Sequence, residues 1–154
     1  MRRSDLEITD FDEIVAVIER CDTMHVGING DGYPYVVPLS YGYEAKDGHV
    51  TLYFHGAGKG LKHELLDHDP RVCVEMSTLL RYVQKGLYLS CEYESVIGYG
   101  KARRVTGDEA IHGLKLMVKH CRMGDSEMDN CAPVTTVYAI DLETLTGKHK
   151  FVKE

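Results

Sequence analysis

Two short glycine turns constrain this chain more than any other feature. Gly30-Asp31-Gly32 and Asp47-Gly48 each stand between runs rich in Val, Ile and Tyr. Such turns between apolar runs predict tight hairpins, because glycine adopts positive φ without steric cost. The expected strands are Met24 to Asn29, with Val26 and Ile28 on one face, then Tyr33 to Ala45, then Val50 to His55. Pro34 and Pro38 remove two ladder donors from the second of these, so part of it must be an edge or a bulge. Further strands are expected over Arg71 to Ser77, where Val72, Val74 and Met76 share a face, over Glu92 to Val105, and over Val134 to Leu145. Gly98 and Gly100 mark a bend or bulge. The stretch from Thr78 to Leu89 fits either an extended strand or a loop.

Helical periodicity is confined to three places. Asp10 and Glu13 form a capping pair ahead of Phe11, Ile14, Val15 and Ile18, whose spacing predicts a helix ending near Cys21-Asp22. Asp108 is expected to cap a helix running to about Cys121 with Ile111, Leu114 and Val118 inward. A short helix from about Lys59 to His68 is stopped by Asp69-Pro70, since the residue before proline disfavours the helical region. Met123 to Asn130 is polar and reads as a loop. The sum is six or so antiparallel strands, two longer helices and one short one, in a single domain over residues 1–154. Consecutive hairpins with few helices predict a closed or partly open barrel, which removes exposed edges.

The net charge of −6 and pI of about 5.7 argue against a general nucleic-acid or anionic-membrane surface. Any anion site must therefore be local. No apolar run reaches about 18 residues, and no apolar segment follows Arg2-Arg3, so cytoplasmic residence is the expectation. The cysteines, Cys21, Cys73, Cys91, Cys121 and Cys131, include no Cys-x-x-Cys and are expected to be reduced, with Cys73 in the core. No metal site is expected, because His63 and His68 are five apart and do not share a helix face.

The local anion site has a candidate. Leu52-Tyr-Phe-His-Gly-Ala-Gly-Lys-Gly-Leu-Lys62 reads as a strand ending in a histidine, a glycine-rich turn, and a helix start flanked by Lys59 and Lys62. Free amides at a helix N-terminus, a favourable dipole and two ammonium groups suit a phosphate. The dinucleotide fingerprint is excluded, because Leu61 stands where it needs a small residue and the flanks are hairpins. A P-loop is excluded because Leu61, not lysine, follows Gly60. The competing reading is a solvated turn whose lysines serve solubility.

Four segments together carry a resemblance. Tyr33-Pro-Tyr-Val-Val-Pro-Leu-Ser-Tyr-Gly-Tyr43, Leu52-Tyr-Phe-His-Gly-Ala57, Lys62 with Asp69-Pro70, and Ser95-Val-Ile-Gly-Tyr-Gly-Lys-Ala102 resemble the pyridoxamine 5′-phosphate oxidase-related flavoproteins. Within them the chain is most similar to the 5-nitroimidazole reductase branch, which its opening Met1-Arg-Arg-Ser-Asp and Ile8-Thr-Asp-Phe-Asp12 also resemble. The resemblance implies a mainly β, six-stranded antiparallel split barrel binding FMN at a homodimer interface. It implies that Val37, Pro38, Leu39 and Ser40 lie along the flavin ring. Gly56, Ala57, Gly58, Lys59, Gly60 and Lys62 would form the phosphate cradle, and His55 would sit beside the ribityl chain and ring. Ser95 would approach from the barrel or from the partner.

The implied chemistry is reduction of a small acceptor, such as a 5-nitroimidazole, with electrons from NAD(P)H, and His55 is the catalytic candidate as a proton or hydrogen-bond donor. The alternative is an FMN- or haem-binding carrier or sensor without turnover. Two departures stand out: Gly56 replaces a frequent serine, and the ending Gly147-Lys-His-Lys-Phe-Val-Lys-Glu154 lacks the basic substrate segment of the vitamin B6 phosphate oxidases. The dense tyrosines, Tyr33, Tyr35, Tyr41, Tyr43 and Tyr53, are read mainly as core and dimer contacts, and Lys101, Arg103 and Arg104 as a solvated face.

Overall fold

A computed structural model describes residues 3–124 and 135–152. After a single 3-10 turn at Ser4–Leu6 the elements run β1 (Glu7–Ile8), α1 (Phe11–Arg20), β2 (Met24–Ile28), β3 (Tyr35–Leu39), β4 (Gly42–Lys46), β5 (His49–Gly56), α2 (Leu61–His68), β6 (Arg71–Lys85), β7 (Tyr88–Val105), α3 (Gly107–His120) and β8 (Thr136–Lys150). All eight strands belong to one antiparallel sheet, ordered β3-β2-β6-β7-β8-β5-β4, with β1 on β8. The mainly β architecture is the one expected for a split barrel. The two ends of the sheet, β3 and β4, follow one another in the chain through Ser40-Tyr41 alone. A link of two residues spans only about 10 Å between strand ends, so the sheet must curl until its ends meet.

Tyr41 explains why the expected long strand from Tyr33 to Ala45 breaks into two. Its side chain is fully buried, and its hydroxyl lies 2.7 Å from the carbonyl of Ile18 and 2.8 Å from that of Cys21. Those carbonyls are at the C-terminal end of α1, where the helix leaves acceptors unpaired. The chain turns inward at Tyr41 to supply the donor. Helix α1 itself starts as expected, with Glu13 N–H donating to Asp10 Oδ1 at 3.0 Å. Ile14, Val17 and Ile18 pack into the main core with Val26, Leu52, Phe54, Val74, Val96 and Ile140. A second cluster lies under α3.

Several expectations shift. Residues 78–89 are a ladder, with Lys85 paired to Tyr88 and Gly86 turning at φ +62°. The hairpin overruns the core, so Leu79, Leu80, Tyr82, Leu87 and Leu89 are exposed. Helix α3 is preceded by Thr106 rather than capped by Asp108, with no side-chain hydrogen bond at that end. It buries Ala110, Leu114 and Met117, a face rotated from the expected one, while Ile111 and Val118 are only half-buried. Cys73 is half-buried and points away from the core, out of phase with buried Val72 and Val74; the core cysteine is Cys21, whose thiol burial pushes up to about 11. Strand β8 continues five residues past Leu145. The bulge expected near Gly98 and Gly100 falls between Tyr99 and Gly100. Most of the polar stretch Met123 to Asn130 lies outside the described residues, as do Cys131 and Val134. Among the described residues no helix is long and apolar enough to cross a membrane.

Helix α3 rests on β4 at Gly42, where an added Cβ would lie 2.4 Å from the backbone nitrogen of Met117. Backbone gives way less readily than a side-chain tip, so Gly42→Ala should cost about 1–3 kcal/mol. Urea denaturation checks this; an unchanged midpoint would mean that α3 is free to move off the sheet.

Candidate functional site

Strand β5 delivers its last residues to the rim of the barrel. Leu52, Tyr53 and Phe54 are buried, His55 is exposed, and Gly56 begins the turn into α2. The turn residues Ala57, Gly58, Lys59 and Gly60 are all exposed. Gly60 takes φ +131°, which glycine alone adopts without strain, and caps α2 with no side chain. The first amides to find a carbonyl are those of His63 and Glu64, at 2.9 and 3.3 Å from the oxygen of Gly60. The amides of Leu61 and Lys62 are left without an acceptor inside the helix. The helix start therefore presents donors and a positive dipole end at the place where the two lysines stand.

Lys62 is half-buried and folds back over β5. Its ammonium lies 5.3 Å from the centroid of Phe54 and 3.0 Å from where a Cβ on Gly56 would be. Among the described residues no carboxylate pairs with Lys62 or Lys59. The arginines of neighbouring β7 are matched, by contrast, Arg103 to Glu109 and Asp141 on one face and Arg104 to Asp67 on the other. Both are exposed and ion-paired.

The other expected residues divide into two groups. The β4–β5 ladder begins with Gly42 opposite Tyr53 and so stops short of Ser40 and His55. Val37, Pro38 and Leu39 lie on β3, paired to Val26, His25 and Met24 of β2, and Ser40 is in the link that follows. Val37 and Leu39 are half-buried, and Pro38 and Ser40 are exposed. Ser95 is elsewhere. His55 pairs with Val137, which pairs with Val105, whereas Ser95 pairs with Lys148. Ten residues of β7, roughly 33 Å of strand, separate Ser95 from the row of His55. Of the tyrosines, Tyr41 and Tyr53 are buried and Tyr33 is 87% exposed. His63 and Tyr138, which brace the turn from beneath, were not anticipated. They are 75 residues apart and their hydroxyl–imidazole contact leaves no local pattern.

Comparison with known proteins follows the same outline. The family model described as pyridoxamine 5′-phosphate oxidase matches residues 10–149. A solved structure of a candidate 5-nitroimidazole antibiotic resistance protein from Bacteroides thetaiotaomicron is 30% identical, covering 94% of this chain and 86% of that one, with a TM-score of 0.81. At lower identity the fold recurs in the flavocytochrome Anf3 of Azotobacter vinelandii, 20% identical over 99% of this chain and 72% of that one, TM-score 0.75. It recurs also in an FAD-binding protein of Mesorhizobium loti, 21% identical over 94% and 97%, TM-score 0.66. Among curated proteins no significant match is found.

Positive charge sets the electrostatics of the rim. Burial holds the Lys62 ammonium below its ordinary value. Burial first, and then the charge of Lys62, hold both His55 and His63 below the ordinary imidazole value of 6.5, so both rings are neutral at pH 7. The unfolded chain therefore binds more protons than the native one just below pH 6.5. Stability from these two groups is full above that pH and is lost as pH falls through their depressed native values. Glu92, held at about 2 by Arg81 and the Val152 amide, titrates well below this window. Urea melts at pH 7.5 and 5.5 should show wild type losing stability on acidification and His63→Leu losing less. Equal losses would mean that His63 is not held neutral in the native protein.

Proposed function

This chain belongs to the pyridoxamine 5′-phosphate oxidase-related family, and on that premise we propose that it binds FMN and reduces a small acceptor, such as a nitroimidazole, with electrons from NAD(P)H. The observation that carries the proposal is the rim at β5–α2: two unpaired lysines, two free helix amides and a strand-end histidine converge on exposed backbone. A phosphate dianion would satisfy all of them at once. A solvated turn would not draw the Lys62 ammonium back over Phe54 and Gly56, where burial disfavours its charge. The flavin ring would then extend along Val37 to Ser40, where the half-buried Val37 and Leu39 and the exposed Pro38 offer apolar surface.

When bound, FMN supplies the two-electron chemistry, passing a hydride from a nicotinamide to the acceptor. Reduction of a nitro group to a nitroso group consumes NAD(P)H and one further proton and releases water. The residues of this chain bind, orient and donate. Lys59, Lys62 and the amides of Leu61 and Lys62 hold the phosphate. His55, neutral at pH 7 in the free protein, offers one N–H donor and one acceptor. A dianion beside it would oppose the charge of Lys62 and raise its pKa, making it a better proton source once the site is filled. The 30% identity to a candidate nitroimidazole resistance protein supports this acceptor class.

We also propose that the working unit is a homodimer. Ser95 lies ten residues along β7 from the row of His55, too far for a flavin anchored at Lys62 of its own chain, so in this reading it would reach the flavin of a second copy. The exposed leucines and tyrosine of the β6–β7 hairpin supply an apolar surface for that copy.

The purified protein should show flavin absorption and release a chromophore of FMN mass; a Soret band would point to haem instead. Lys62→Ala should weaken FMN binding by about tenfold to a hundredfold, the worth of a charge-assisted hydrogen bond, with little change in folding. Equal FMN affinity in variant and wild type removes the phosphate assignment. His55→Ala should lower nitroimidazole turnover or flavin retention, and no change in either would leave His55 as packing only. Light scattering should report a dimer, and an FMN-loaded monomer would contradict the shared site.

A further inference from the structure

Lys62 lies against an aromatic face where a carboxylate would ordinarily hold it. Its ammonium is 5.3 Å from the centroid of the Phe54 ring, within the reach of a cation–π contact. Phe54 is fully buried and pairs across the β5–β8 ladder with Tyr138, whose ring stacks on it at 4.9 Å and 6°. The Tyr138 hydroxyl lies 2.8 Å from Nδ1 of His63, the residue after Lys62 on the first turn of α2. One hydrogen bond thus ties the helix start to β8, and one ring face receives the side chain that the same turn projects.

A second cation meets this pair of rings. The Arg104 guanidinium lies 5.7 Å from the Tyr138 centroid and is matched to Asp67 at 2.7 Å. Among the described residues no carboxylate pairs with Lys62. The difference bears on ligands. A carboxylate neutralises an ammonium and competes with an incoming anion, whereas a ring face carries only a quadrupole and leaves the full charge in place. Burial disfavours charge on Lys62, a cost the side chain would escape by swinging into water, and the attraction of the ring works against that escape. Gly56 keeps the space open, since a Cβ there would stand 3.0 Å from the ammonium.

We propose that Phe54 is a positioning residue for an anion: its ring face holds the Lys62 ammonium at the β5–α2 rim, charged and uncommitted, so that a phosphate meets it already ordered. This rests on the phosphate reading above. The gain is preorganisation, because an unheld lysine loses its rotamer freedom only at the moment of binding.

The test titrates the full-length protein with FMN and with riboflavin, which lacks the phosphate. Phe54→Leu removes the ring face and should lower FMN affinity by about threefold to tenfold, the worth of such a contact, and riboflavin affinity by less than about twofold. Because that change also opens the core, a ring-fluorinated phenylalanine at position 54 carries the test if Phe54→Leu fails to fold. Fluorine withdraws charge from the ring face while the volume hardly changes. It should lower FMN affinity by about threefold, leave riboflavin unchanged, and have no further effect in a Lys62→Ala background. Unchanged or tighter FMN binding, an equal loss for riboflavin, or a loss that persists without Lys62 overturns the assignment to Phe54. The ε-methylene protons of Lys62 are followed by NMR without ligand, where the ring should shift them upfield. That shift in a wild type that takes up neither flavin overturns the flavin reading and leaves the ring contact standing, and its absence overturns the contact itself.

Discussion

The register of β8 governs where everything else lies. This one strand pairs with β7 along nearly its whole length, with β5 over its first half and with β1 over its second. The side-chain period of a strand is two, so a slip of one residue would exchange Tyr138 and Ile140 of the main core with Val137 and Ala139 of the cluster under α3 and misfit both. The same register places Val137 beside His55 and Lys148 beside Ser95, at opposite ends of the strand. Fixing the core thus also fixes the separation between the β5–α2 rim and the far end of β7.

Much of this was legible because local chemistry and tertiary structure agree. Asp10 caps α1 as its spacing with Glu13 suggests, and the Asp47-Gly48 turn closes β4 on β5. The strand–turn–helix from Leu52 to His68 follows from glycines and Asp69-Pro70. Where the reading fell short, the deciding partner was distant. Tyr33 to Ala45 breaks at Tyr41 because two carbonyls on α1 need a donor, and nothing near Tyr41 announces that. Thr78 to Leu89 lacks a clear alternation because the hairpin runs past the core, where neither face is buried and no period is imposed. Helix α3 shows Ala110, Leu114 and Met117 to the sheet, and the larger Ile111 and Val118 drew the expected face aside. Gly113 explains the rotation: an added Cβ there would sit 2.5 Å from Tyr53, so the helix uses its small residue to approach the ring closely.

Charge is distributed unevenly between ion-paired arginines and two lysines at the β5–α2 rim. Most arginines are matched to carboxylates, and even the buried acids are paired: Glu94 takes both nitrogens of Arg20, and Glu92 both of Arg81. Such pairs neutralise and orient, but they leave little field for steering a ligand. Lys59 and Lys62 stand outside that network. Their charges are few, and the low exposure of Lys62 makes its charge count for more than a surface lysine's would.

The departure at Gly56 fits the same geometry. A serine there would add a hydroxyl toward the ligand, yet its Cβ would press on the Lys62 ammonium at 3.0 Å and touch His63 at 3.5 Å. In this chain the space is taken by the lysine that folds back and by the neighbouring imidazole of His63. Gly56, Lys62 and His63 are thus one solution to a packing problem, and restoring serine at position 56 alone would displace the ammonium it is meant to assist.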